Sequence, residues 1–486
     1  MPIDLAPRKQ TGLHFMTNRF PHTPDFTNKL KAIEQSIAMG EFERSVAELN
    51  ALVKVAGQDP RLFILASRLA HASGNHEGAL EAARKAQQVA PDWPVATMYI
   101  AGVHADRGEA EPALVFMMCA IDQARMQGSR DLEILHKAAD LCHSLGLDQQ
   151  ALVWLREAEQ IDPTHSSTRY KIGLALSSQE EFDAAVKVFS ALAEEVKGNS
   201  ALLSARLLAY LGAGMYGPAI EDAQMLLALD PANASTQFYL AVARGEVPAT
   251  MPSELIASTF DELAPRYDRV MVAGQKYDLP QQVAKQILAY FPSRKFDALD
   301  LGCGSGLLGA CLGALEGVLV GVDLSLAMIN LASRVGVYDK FHHVNLLDAL
   351  MATPDNLYDV ITALDVFAFV GNLDVVIPNV QRILVPGGRF VFTFDCTSDE
   401  VARYVLGKTY RYGHRRGYVE QLLRDAGFVT ISVQDLVIRE EKGQEIPGCL
   451  VTAQSASHQK RQQRHSGSEK IAQRSPKNAK RQGLGG

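Results

Sequence analysis

Residues 299–306 read LDLGCGSG. An apolar run from Phe296 to Leu301 carries one aspartate, Asp300, and then breaks into glycine at every second position: Gly302, Gly304 and Gly306. Glycine weakens a strand and is used where backbone must turn tightly or come close to a ligand. The stretch therefore reads as the end of a buried strand followed by a turn that receives something. Beyond it, short apolar runs alternate with helical stretches. The runs are FDALDL (296–301), GVLVGVD (317–323), FHHVNLL (341–347), YDVITALDVFAF (358–369), RFVFTFD (389–395), VTISVQDLVIR (429–439) and GCLVTAQ (448–454). Strand–helix alternation with short loops implies parallel βαβ units with helices on both faces, here a seven-stranded, mostly parallel sheet. No helix separates the last two runs, so they are expected to pair antiparallel at one edge.

Open sheets of this kind bind ligands outside the carboxyl ends of their strands. The glycine turn lies at such an end, and the helix after it adds its positive pole. Two further strand ends carry acids, Asp323 and Asp348. The spacing Gly304-x-Gly306-x-x-Gly309 formally fits a dinucleotide fingerprint, with Asp323 as its acid. Asp300 argues against it, since a carboxylate just before the turn repels a pyrophosphate. A ligand with cationic groups and no phosphate resolves the objection, and S-adenosylmethionine has a sulfonium, an ammonium and a ribose diol.

The first half repeats itself. Ser45, Ala79, Ala113, Ala151, Ala185 and Ala219 stand in matching contexts, with Gly40, Gly74, Gly108, Gly146, Glu180 and Gly214 five positions before them. Pro91, Pro163 and Pro231 close three of the units. Glycine serves a turn between two helices, the small residue lets them approach, and proline stops the second helix. Period and residue types resemble the tetratricopeptide repeat, in six units plus a capping helix within residues 27–246. Glu180 departs from the pattern, and four extra residues near MQGSRD (126–131) are expected to bend the superhelix. Such an array buries a continuous core and offers a concave face to a protein partner.

The chain of 486 residues is 47% hydrophobic and 21% charged, an ordinary globular balance. Its net charge of −7 is uneven: residues 454–486 hold eight lysines and arginines against Glu469, a balance of +7 that leaves −14 elsewhere. That tail has too little apolar surface to fold and reads as a disordered basic extension from 455, a possible nucleic-acid contact. No run of ~18 apolar residues suggests a membrane span, and the N-terminus lacks a secretory pattern. Six scattered cysteines form no CxxC pair and no metal-ligand set, which points to a reducing cytoplasm.

The second half also resembles a known family. DLGCGSG resembles the first motif of class I S-adenosylmethionine-dependent methyltransferases. GVDLS, VNLLD, YDVITALDVFAF and LVPGGRFVFTF resemble the motifs that follow it, over residues 296–454. With FDELAPRYDRV (260–270) and KYDLP (276–280), the chain looks like a bacterial methyltransferase fused behind tetratricopeptide repeats. The expected organisation is a flexible N-terminus (1–26), the repeat array (27–246), a linker with N-terminal helices (247–295), the Rossmann-like α/β core (296–454) and the tail (455–486).

The resemblance implies roles for particular residues. Gly302, Gly304 and Gly306 would pass the methionine part of the cofactor, and Asp300 would hold the turn and the ammonium side. Asp323 would accept from the ribose hydroxyls. Leu324, Met328 and Leu347 would pack near the adenine, and Asp348 would accept its amino proton. Asp365 would face the methyl group, with His414 and Tyr418 on the acceptor side, His414 as a general base or simply as a helix-capping residue. No Asn/Asp-Pro-Pro-Tyr sequence follows the fourth strand, which disfavours nucleobase and glutamine amino methylation. The methyl acceptor is not identified. The alternative is a repeat scaffold whose methyltransferase fold senses cofactor without turnover.

Overall fold

The computed structural model describes residues 23–128, 131–398, 401–441 and 444–456. Most of the expected flexible N-terminus (1–22) and of the basic tail (457–486) lies outside the described residues. By its internal contacts the chain divides into two units. One holds the residues up to Pro248 together with Glu262–Val270; the other holds Ala249–Asp261 and the residues from Met271 onward. The segment 262–270 was expected with the second domain. It groups with the helices, and Arg266 Nη1 donates to the carbonyl of His143 at 2.9 Å.

The first unit contains thirteen described helices, from α1 (Pro24–Ala38) to α13 (Ala234–Ala243). They pair as helix–turn–helix units. The turn residues Gly40, Gly74, Gly108, Gly146 and Gly214 have φ between 71° and 78°, the left-handed region in which a Cβ is penalised. Glu180 takes the same turn at φ 63°. The small residues five positions on, Ser45, Ala79, Ala113, Ala151, Ala185 and Ala219, are each no more than 2% exposed. A longer side chain there would push the pair apart. The extra residues near 126 lengthen one helix, Ala110–Met126, to 17 residues where its counterpart His76–Val89 has 14.

In the second unit β1 (Ala298–Leu301), β2 (Leu319–Asp323), β3 (Lys340–His343), β4 (Tyr358–Ala363) and β5 (Leu384–Cys396) are parallel neighbours in the order β3-β2-β1-β4-β5. The sheet has nine described strands rather than the seven expected. The additions are two three-residue strands, β6 (Tyr404–Leu406) and β7 (Tyr412–His414), which lie outside the apolar runs of the sequence. β8 (Phe428–Glu441) and β9 (Gln444–Ser455) form the expected antiparallel pair, and β9 runs antiparallel to β5.

Strand alternation distributes the core over two faces. Leu299, Leu301, Ile361, Ala363, Phe390 and Phe392 pack with the helices Leu346–Ala352 and Val376–Ile383. Ala298, Val360 and Val391 face the helices Leu279–Tyr290 and Leu307–Leu312. Asp300 shares the parity of Ala298, so it enters this second layer. No described helix is long and apolar enough to cross a membrane.

Candidate functional site

The three glycines of the opening motif all lie in the left-handed region, at φ 67° (Gly302), 54° (Gly304) and 86° (Gly306). The N–H groups of Gly302 and Cys303 both reach the carbonyl of Val322, at 2.7 and 3.0 Å, which ties the turn to the end of β2. A Cβ on Gly302 would stand 2.4 Å from Val366 Cγ2, so side chain is excluded on that side as well. The helix after the turn, Leu307–Leu312, is only six residues long.

Asp323 ends β2 and closes the turn from the other side. Its Oδ2 accepts from the N–H of Gly304 and its Oδ1 from that of Ser325, both at 2.8 Å. Sequence reasoning missed Asp261, which comes from the helix Ser253–Leu263. Its Oδ1 accepts from Ser325 Oγ at 2.5 Å and from the N–H of Ala327 at 3.2 Å. The only signal for it was its place within FDELAPRYDRV, far away in the chain. Asp300 lies opposite Thr362 in the β1–β4 register. Thr362 Oγ1 donates to its Oδ1 and Tyr338 Oη to its Oδ2, both at 2.7 Å.

Burial pushes the Asp300 carboxyl up to about 6; the Thr362 and Tyr338 hydrogen bonds pull it down, and neighbouring Asp323 raises it. Burial also raises Asp323, against the N–H groups of Ser325 and Gly304. Among the described residues no lysine, arginine or histidine forms a hydrogen bond or ion pair with Asp300, Asp323 or Asp261. The site is thus a glycine-lined turn with buried, uncompensated negative charge. It suits a cationic ligand and repels a pyrophosphate. No group of three or more metal-ligating side chains occurs among the described residues.

The other expected cofactor residues are placed unevenly. Leu324 and Leu347 are partly exposed, and Met328 is wholly buried within the helix Leu326–Val335. The third motif ends as a strand sooner than expected. Asn345 caps a helix at Leu347 N, and Asp348 sits exposed in that helix's first turn.

The three residues expected on the acceptor side all make hydrogen bonds or ion pairs within the fold. Asp365 has φ 58°, and its N–H donates to Thr393 Oγ1 at 2.8 Å. Its carboxylate holds Arg411 and, at 3.0 Å, Arg439; burial raises it, against both guanidinium groups. His414 is fully buried in β7, its Nε2 3.0 Å from the carbonyls of both Val370 and Gly371. Burial lowers it to about 4, with those carbonyls opposing, so it is a neutral donor holding the 370–371 backbone. Tyr418 Oη accepts from Leu373 N–H at 3.1 Å and donates to Asp374 at 2.9 Å. Burial pushes it up to about 12.

Two arginines escaped the sequence reading. Arg439 bridges Asp365, Asp395 and Glu441. It follows buried Ile438, and strict alternation would have sent it to solvent; a register shift between Val437 and Arg439 turns both inward. The Arg411 guanidinium lies 5.1 Å from the Phe369 ring centre, and Phe260 stands edge-on to that ring at 5.4 Å.

Strand order, glycine turn and acidic strand ends define a class I methyltransferase domain, whose cofactor is S-adenosylmethionine. Residues 299–392 match the family described as methyltransferase domain. Among curated relatives, the demethylmenaquinone methyltransferase of Symbiobacterium thermophilum is 30% identical over 149 residues, covering 28% of this chain and 58% of that protein. The ubiquinone biosynthesis O-methyltransferase of Rickettsia akari is 28% identical over 177 residues, covering 34% of this chain and 68% of that one. Among solved structures, the magnesium protoporphyrin IX methyltransferase of Synechocystis is 17% identical with a TM-score of 0.34, over 42% of this chain and 99% of that one.

Proposed function

We propose that the chain transfers a methyl group from S-adenosylmethionine to an acceptor that meets the cofactor beside Phe260, Phe369 and Arg411. The observation that carries this reading is the uncompensated negative charge of Asp300 and Asp323 around the glycine turn, which a sulfonium and an ammonium neutralise. The residues present fit the cofactor: Gly302 and Gly304 pass its methionine part, Asp300 faces its cationic side, and Asp323 has lone pairs left for the ribose hydroxyls. The cofactor brings an already activated methyl group, so the chain's task is to align the acceptor and exclude water. The aromatic pair supplies an apolar wall, and Arg411, held by Asp365, supplies a fixed positive charge. The names of the relatives suggest quinone precursors as an acceptor class to test first.

The helical array, read as tetratricopeptide repeats, recruits the partner or substrate. A groove of about 510 Å³ supports this, lined by Glu34, Arg68, Tyr99, Glu133 and Lys137 from the first helices of successive pairs. A second reading, a scaffold that senses cofactor without turnover, is favoured by one observation: Asp365, His414 and Tyr418 are all engaged in structural bonds. Calorimetry separates these from no binding at all. S-adenosylmethionine and S-adenosylhomocysteine should bind, and NAD should not. Asp323→Ala should weaken binding at least tenfold, since charge-assisted hydrogen bonds are worth about 1.5–3 kcal/mol each. Unchanged affinity in that variant removes the ribose assignment, and methyl transfer to a demethylated quinone removes the sensor reading.

A further inference from the structure

Tyr338 lies between the helix Leu326–Val335 and β3, and it does two things at the glycine turn that its sequence position does not advertise. Its hydroxyl accepts from the N–H of Gly309 at 3.3 Å and donates to Asp300 Oδ2 at 2.7 Å. Its ring also occupies the space that side chains on the turn would need. A Cβ on Gly309 would stand 2.3 Å from Tyr338 Cε2, and one on Gly306 would stand 3.3 Å from the same atom and 3.0 Å from Ala332 Cα. Gly309, which a dinucleotide fingerprint assigns to helix–strand packing, is small here because a tyrosine ring lies against it. Phe341 backs that ring at 5.0 Å between centres.

We propose that Tyr338 is a positioning residue for the cofactor: its hydroxyl joins the helix after the glycine turn to the Asp300 carboxylate, so that turn and charge meet the ligand as one rigid unit. The inference rests on the cofactor reading above. Asp300 has two fixed donors, Thr362 from β4 on one oxygen and Tyr338 on the other. The ionisable groups around it are Asp323 from β2, Cys303 from the turn and Tyr338 itself, with no basic residue among its described partners. Removing the Tyr338 hydroxyl withdraws one of the two bonds that favour the ionised carboxylate. The carboxyl then titrates higher, and binding of a ligand's ammonium group, which needs Asp300 ionised, fails at a higher pH.

The test is titration of the full chain with S-adenosylhomocysteine between pH 5.5 and 8.5, for wild type and Tyr338→Phe. Affinity should fall with decreasing pH in both. In Tyr338→Phe the fall should begin about one pH unit higher, with near-wild-type affinity at pH 8.5, roughly threefold weaker binding near pH 6.5 and close to tenfold weaker binding near pH 5.5. A loss of the same factor at every pH, or no loss, overturns the proposal. If the wild type itself fails to bind at every pH, the cofactor reading falls instead. If Tyr338→Phe does not fold, 3-fluorotyrosine at position 338 replaces it, keeping ring and hydroxyl while strengthening the donor. The fall should then move to lower pH, and an unmoved profile overturns the proposal.

Discussion

Asp300 is 3% exposed, and burial pushes its carboxyl to about 6, above the ordinary carboxylate range. For a group raised in the folded state, the stability it contributes is present below about pH 4 and lost as pH rises through about 6. At neutral pH the protein therefore carries a buried charge that weakens its fold, and in the function proposed above that charge faces the cofactor. Asp300→Asn keeps the shape and removes the charge. It should raise stability by about 2 kcal/mol at pH 8, with the gain vanishing near pH 4, while cofactor binding drops. Thermal unfolding of both proteins across that range measures it; a variant less stable than wild type at pH 8 contradicts the charge argument. At the same scale His414, which stands beside two arginines in the sequence, has a fully buried ring that pins two backbone carbonyls.

The helix pairs place one residue after another in the same left-handed turn, and five of the six are glycine. Glu180 at φ 63° meets the geometry at the cost of its Cβ. Glu180→Gly should stabilise the array by about 0.5–1 kcal/mol, the relief of the strained backbone being partly offset by the freer unfolded chain. A midpoint shift in urea with an unchanged slope checks this, and a loss of stability would show that the Glu180 side chain contributes more than the strain costs. Strands follow the same logic of local rule and local exception. Alternation assigns the residues of β1, β4 and β5 to their faces correctly, and it fails at the β8 bulge that turns Arg439 inward.

Over the whole chain, contacts separate a helical unit from a sheet unit, with residues 262–270 in the former. Every group that shapes the glycine turn, from Asp261 to Thr362, belongs to the sheet unit. A fragment of residues 249–456 should therefore fold cooperatively and bind S-adenosylhomocysteine as tightly as the full chain. Residues 23–248 should give a separate unfolding transition. Calorimetric scans of the three proteins decide it: a fragment that folds but does not bind would assign part of the cofactor site to the repeats.

Local chemistry made much of this legible. The three glycines of the turn, the alternating strands and the recurring pairs of turn residue and small residue each follow from what one residue type does to its own backbone or to its near neighbours. The sequence by itself determined the parallel sheet, the paired helices and the acids at the ends of β1 and β2. Tertiary structure alone decided which charges are compensated. Asp365 meets Arg439 and Asp261 meets Ser325 across 74 and 64 residues, and Tyr338 reaches Asp300 across 38. Such pairings depend on strand register, a bulge and the path of a distant helix. No local pattern encodes the energy of a buried charge, because that energy is set by the groups the fold brings around it.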